Sequence, residues 1–242
     1  PVLLWHGGQH SLKALFALKP QLIDWAKHHP GASLHIVCGP GAEPGSFIRV
    51  ACVGDSITFG AGVEDRIANN YPRVLGKLLG ERYQVSNFGV NGATLLKKGD
   101  KPYWKLPAFK NVTDFQPHLV IIKLGTNDSK PQNWKYQGEY ANDLRALVDH
   151  FQSLPSKPKI WLCKPAPVAR TRWGISEKTV KGEVIPLIES VAKEKKLPII
   201  DLFQALDDHR DLLPDGVHPN AAGAKIIANT VHAALSSKES QK

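Results

Sequence analysis

The chain has 242 residues, 42% hydrophobic and 22% charged, and its 31 Lys and Arg against 22 Asp and Glu give a formal net charge of +9. That length buries one substantial core without requiring a second domain, and no stretch approaches the roughly 18 apolar residues of a membrane-spanning helix, so a helical membrane protein and a disordered chain are both excluded. The positive charge is spread over loops and helix faces rather than gathered into one stripe, so no nucleic-acid partner and no membrane is expected.

Residues 1–45 read as a separate N-terminal extension. Positions 2–5, 12–27 and 34–38 suggest strand, helix and strand, and the breaker-rich run 39–45 follows. This is either a βαβ unit that extends the edge of the main sheet or the remnant of a preceding domain. From 46 to 242, short apolar runs at 48–53, 83–88, 119–124, 159–163 and 197–201 alternate with longer helical patterns. Each run is apolar almost throughout, as strands buried on both faces are, and alternation of this kind predicts an α/β domain with a parallel sheet of five strands. The clearest helix lies within 135–154, where Tyr136, Tyr140, Leu144, Leu147, Val148 and Phe151 share one face, and Pro155 ends it. A second covers part of 178–196, with Pro186 either kinking it or marking its first turn. The last spans about 220–235, and the polar tail 236–242 is expected to fray. Cys38, Cys52 and Cys163 each belong to a strand-like run and are expected to be core thiols, not a disulfide framework or a metal cluster.

Four stretches fall at the carboxyl ends of strands or in the adjoining loops, where open α/β sheets carry their sites: "GDSITFG" (54–60), "NFGVNGATL" (87–95), "LGTND" (124–128) and "DGVHPN" (215–220). Ser56 sits where a strand turns into a helix. Its hydroxyl attacks a carbonyl only if a base removes the proton, and a Gly-Asp-Ser turn by itself is more often just a turn. His218 has a pKa suited to that work, and Asp215 three positions earlier is placed to orient its ring. A surface Asp-Gly turn leading into an Asn-capped helix is an equal reading of that segment alone. Acyl transfer also needs donors aimed at a developing oxyanion. Gly92 offers an N–H without a Cβ in the way, and Asn127 offers an amide free of like-charge repulsion.

Taken in this order, the four stretches resemble the blocks of the SGNH hydrolases, the GDSL-type esterase and lipase superfamily, with Ile57 in place of the eponymous leucine. That resemblance implies a three-layer α/β/α sandwich of flavodoxin-like type around a five-stranded parallel sheet. It implies Ser56 as nucleophile, His218 as base and Asp215 as its orienter, with the Ser56 N–H, the Gly92 N–H and the Asn127 side chain as oxyanion donors. It calls for no metal and no cofactor.

Three loops rich in aromatic and basic residues border these motifs: 97–105, 127–135 and 164–174. Trp104, Trp134 and Trp173 are candidate stacking surfaces for sugar rings, and Lys130, Lys164, Arg170 and Arg172 candidate partners for hydroxyls or carboxylates. For any one Trp, pinning its loop to the body is an equal reading. The wording of "IIKLGTNDSKPQNW" and "RWGIS" is similar to the carbohydrate acetylesterase branch, sialate O-acetylesterase-like and acetylxylan-esterase-like. An acetylated carbohydrate is therefore the expected substrate, with another small acyl ester, or binding without catalysis, as alternatives. Lys123, in an otherwise apolar strand, is expected to snorkel from the strand end. The chain holds no methionine and no charged-then-apolar signal segment at Pro1, so its ends are read as cut. A glycan on the Asn127-Asp128-Ser129 acceptor sequence would block the oxyanion site, which favours a bacterial source with a secreted or periplasmic protein.

Overall fold

A computed structural model describes residues 2–6, 33–37 and 47–239. The chain divides into two units, Pro1–Phe47 and Ile48–Lys242. In the first, β1 (Val2–His6) and β2 (Ser33–Val37) run parallel, with Val2 opposite Ser33 and His6 opposite Val37. These two strands take each other as partners in a two-stranded sheet. The helix expected over 12–27, and Cys38, lie outside the described residues.

In the second unit the five apolar runs form one parallel sheet of β3 (Ile48–Gly54), β4 (Tyr83–Gly89), β5 (Leu119–Lys123), β6 (Lys159–Lys164) and β7 (Ile199–Asp201), ordered β4-β3-β5-β6-β7. Alternate residues point to opposite faces, and both faces are covered. Ala51, Val53, Val120, Ile122, Ile160 and Leu162 pack into one core cluster, whereas Val50, Cys52, Ile121, Trp161, Cys163 and Ile200 pack into the other. Cys52 and Cys163 are free buried thiols, and burial pushes Cys52 up to about 12. At roughly 1.5–3 kcal/mol for each fully buried large aliphatic side chain, these two layers dominate the stability of the domain.

The helices supply the outer layers of an α/β/α sandwich. A single turn, α1 (Ser56–Phe59), follows β3. The longer helices are α2 (Tyr71–Leu79), α3 (Pro107–Phe115), α4 (Gln137–Gln152), α5 (Ile185–Lys195), α6 (Leu202–Asp207) and α7 (Ala221–Glu239). Buried residues of α3, α4 and α5 join the first cluster, and those of α2, α6 and α7 the second. In α4 the buried residues include Tyr140, Leu144, Leu147, Val148 and Phe151, the face that the periodicity predicts. Pro186 follows closely on a π-helical turn at Val180–Val184 within one continuous helical run from Glu177 to Lys195, so it marks an irregularity inside the helix and not the first turn of a free-standing one. The helix α7 continues past 235 to Glu239, and Ser236 Oγ donates to His232 O at 2.9 Å.

Strand order reverses between β3 and β5: the chain first adds β4 on one side of β3, then crosses to build β5, β6 and β7 on the other. Crossovers leaving the two strands in opposite directions open a crevice beyond their carboxyl ends, which is where ligands of such sheets bind.

Candidate active site

Ser56 stands at that crevice. The chain leaves β3 at Gly54 and turns through Asp55, whose side chain accepts the Ile57 N–H at 3.0 Å, so Ser56 takes the first position of α1. Its Oγ lies 2.8 Å from His218 Nε2, and His218 Nδ1 lies 2.7 Å from Asp215 Oδ2. A carboxylate only accepts, so Nδ1 carries the hydrogen and the Nε2 lone pair faces the serine hydroxyl. Asp215 is fixed by its own turn, because its Oδ1 accepts the N–H groups of Val217 and His218 at 2.9 and 2.7 Å. Burial pushes the Asp215 carboxyl up, but the bonds from His218 and Val217 outweigh it and hold the group below its ordinary value. It is therefore ionised at neutral pH, the state that stabilises a positively charged imidazole.

Gly92 and Asn127 come from the strands on either side. Gly89, at the end of β4, packs directly on α1: a Cβ there would sit 2.2 Å from the Phe59 nitrogen. Val90 N then donates to Gly54 O at 3.0 Å, tying the loop to the end of β3. Gly92 follows with φ +77°, a left-handed conformation that favours glycine. Asn127, buried after β5, donates through Nδ2 to Ala93 O at 3.1 Å, which leaves one amide hydrogen uncommitted. Its neighbour Asp128 accepts the N–H groups of Leu96 and Leu95 at 2.7 and 3.0 Å. Burial pushes Asp128 up to about 7, against the pull of those two bonds. Consecutive residues thus stitch the Gly92 loop to the Asn127 loop in both hydrogen-bonding senses. Among the described residues, no protein acceptor takes the N–H of Ser56 or of Gly92.

Behind Ser56 lies a charge pair that differs from the expectation for Lys123. Lys123 is 0% exposed, and its Nζ donates to Asp55 Oδ1 and Oδ2 at 2.9 and 3.0 Å and to Thr126 Oγ1 at 2.9 Å. It does not snorkel, because the fully buried carboxylate of Asp55 holds it inside. Part of the signal was present: a lysine in an apolar run is fully buried only with a partner, which called for a carboxylate without singling out Asp55.

The candidate substrate residues separate into two groups. Trp134 is 6% exposed, with Nε1 donating to Glu183 Oε2 at 2.6 Å, so the core holds its ring and leaves no face for a sugar. Trp104 packs against Phe109, bonds Leu95 O through Nε1 and has Lys97 Nζ 4.2 Å from its ring centre, which makes it a loop pin. Lys164 is committed to Glu189 and Asp201. By contrast Trp173 is 52% exposed with its ring centre 5.5 Å from that of His218, and Arg172 lies over it while reaching Asp215 O at 3.4 Å. Lys130, half-buried, precedes the helical turn Pro131–Trp134 beside Gly174. Among the described residues, no three of His, Cys, Asp and Glu converge as metal ligands do.

Known proteins share this arrangement of chain. Residues 52–226 match the GDSL-like lipase/acylhydrolase family. An acetylxylan esterase of Xylanibacter ruminicola is 42% identical over 206 residues, covering 78% of this chain and 43% of that protein. The GDSL esterase/lipase WDL1 of Oryza sativa subsp. japonica is 27% identical over 51% of this chain and 55% of its own. The chain thus spans about half the length of these curated relatives. Among solved structures, Est24, a carbohydrate acetylesterase from Sinorhizobium meliloti, superposes with a TM-score of 0.63 at 21% identity, over 78% of this chain and 98% of that one. Axe2, an acetylxylan esterase from Geobacillus stearothermophilus, superposes with a TM-score of 0.62 at 22% identity, over 80% and 96%. At such identities the superpositions speak to the fold.

Proposed function

The chain belongs to the GDSL-like lipase/acylhydrolase family, and from that premise we propose that it is a serine esterase removing O-acetyl groups from carbohydrates. The observation that carries this reading is the chain of hydrogen bonds from Ser56 through His218 to Asp215, at 2.8 and 2.7 Å. Ser56 Oγ attacks the acetyl carbonyl while His218 Nε2 takes its proton. The charge on the former carbonyl oxygen is met by the Ser56 N–H, the Gly92 N–H and the free Asn127 amide hydrogen. Collapse breaks the ester bond, and His218 returns the proton to the departing sugar oxygen. Water then attacks the acetyl-serine by the reverse route, releasing acetate.

The acetylated carbohydrate is supported by the 42% identity to an acetylxylan esterase. We assign residues 46–242 to the hydrolase domain, with 1–45 as an extension to it. A polymeric glycan is met outside the cell, so a secreted or periplasmic location in a bacterium fits this substrate. The test is an acyl series: p-nitrophenyl acetate, butyrate and octanoate with the wild type and Ser56→Ala, followed by acetate release from acetylated xylan. The expected result is preference for acetyl, with turnover falling at least 10³-fold in Ser56→Ala. Preference for octanoate, or a fully active Ser56→Ala protein, overturns the reading.

A further inference from the structure

Beside His218 the chain makes a turn whose backbone does not suit its side chain. Arg172 N donates to Ile175 O at 3.1 Å and Ile175 N to Arg172 O at 2.8 Å, closing two residues, Trp173 and Gly174, with φ of +51° and +79°. Two central residues of positive φ is the geometry that Asn-Gly and Gly-Gly pairs adopt readily, and a bulky aromatic there is a steric outlier. Half of the Trp173 surface is nonetheless open to solvent, so core packing does not explain the strain.

The turn is rigidly mounted. Val168, Ile175 and Val217 belong to a small core of their own. Glu177 accepts the Val168 N–H at 3.1 Å and pairs with both terminal nitrogens of Arg210 at 2.7 Å. On its other side, a Cβ at Gly174 would meet Pro131 Cδ at 2.9 Å, which brings the turn against the loop that follows Asn127. Two guanidinium groups ride on this mount. Arg170 and Arg172 are exposed, their contacts to the backbone oxygens of Pro214 and Asp215 are long at 3.4 Å each, and neither meets a carboxylate side chain among the described residues.

We propose that Trp173, Arg170 and Arg172 form a subsite for a sugar carboxylate, so that the esterase acts on acidic O-acetylated glycans. This rests on the esterase reading above. Arg172 covers one face of the indole ring, so the sugar ring stacks on the face left open, and the guanidinium fork matches the planar carboxylate in two parallel hydrogen bonds. The carboxylate comes from a uronic acid branch of a polymer or from a sialic acid, and the experiment separates these sources.

Acetate release is measured on acetylated glucuronoxylan before and after its uronic acids are reduced to neutral sugars, and on O-acetylated sialic acid against its methyl ester. In at least one arm kcat/KM is expected to be about fivefold higher for the charged form, the size of one good exposed ion pair, with the gap closing in added salt. The double variant Arg170→Gln/Arg172→Gln is expected to bring the ratio to near one. Because the ratio is internal to each protein, a general loss of turnover from disturbing Asp215 does not imitate it. Equal rates on charged and neutral forms in both arms overturn the subsite, as does a preference that survives in the double variant. Failure to hydrolyse p-nitrophenyl acetate overturns the esterase reading instead. Affinity electrophoresis of the Ser56→Ala protein in charged and reduced polymer then reads the subsite without turnover: equal retardation overturns it, stronger retardation by the charged polymer sustains it.

Discussion

Replacing Lys123 by Met keeps the length of the side chain and removes its charge from a site with 0% exposure on both Lys123 and Asp55. All three ammonium hydrogens are used, two on Asp55 and one on Thr126, so no part of the group is solvated. The substitution strands a buried carboxylate, and breaking a buried pair from one side costs about 3–5 kcal/mol. Folded domains hold about 5–15 kcal/mol in total, so roughly a fifth or more of the stability is at stake. At about 2–4 °C per kcal/mol for a chain of this size, the melting temperature falls by roughly 6–20 °C. Asp55 also caps the turn that presents Ser56, so the reorganised carboxylate lowers kcat on p-nitrophenyl acetate as well. The matched variant Lys123→Met/Asp55→Asn keeps an oxygen to accept the Ile57 N–H and no longer buries a lone charge. Its melting temperature is expected to recover more than half of the loss, giving a coupling of about 1–3 kcal/mol in the double-mutant cycle. Calorimetry at pH 7 decides the matter: a Lys123→Met protein melting within 2 °C of wild type, or a double variant no better than the single, refutes the reasoning.

On the proposed mechanism Asn127→Ala removes one oxyanion donor, and it is expected to lower kcat for p-nitrophenyl acetate about 10²- to 10³-fold with little change in KM, read by steady-state kinetics. Asp128→Asn leaves one oxygen for the two N–H groups of Leu95 and Leu96, and a buried donor without an acceptor costs about 1–3 kcal/mol, measurable by urea denaturation. Glu177 is held below the usual glutamate range by its bonds to Arg210, so the stability it contributes is complete above the unfolded-chain value of about 4.3 and is lost as the pH falls through the folded one. Melting curves of wild type and Glu177→Gln should accordingly differ at pH 6 and converge towards pH 3.

The sheet was legible because strands buried on both faces are written as unbroken apolar runs, and all five runs are strands. The helix α4 was legible for the matching reason, a single apolar stripe at helical spacing. By contrast α2 and α3 are nine residues each, too short for an apolar stripe to repeat over several turns, and α2 contains Pro72 and Gly76. The partnership of Asp55 and Lys123 was hidden by distance along the chain, 68 residues, since only the register of β3 against β5 brings them together. Asp128 was hidden by its neighbour, because Asn127 absorbed the functional reading of the motif. The tryptophans show the limit most clearly. Trp134 and Trp173 sit in similar basic loops, yet one is 6% and the other 52% exposed, and burial depends on what the rest of the chain brings to each.

The bond between Ser56 and His218 closes a loop of 162 residues. One end leaves β3 inside the sheet, and the other follows β7 at its edge. These two atoms cannot meet until β5, β6 and β7 have docked in turn, and contacts so remote in sequence form slowly. On the proposed mechanism turnover is a clock that starts only when assembly is finished: during refolding, hydrolysis is expected to lag the return of far-ultraviolet dichroism, and a nascent chain that has not yet reached residue 218 is expected to be inert however complete its sheet.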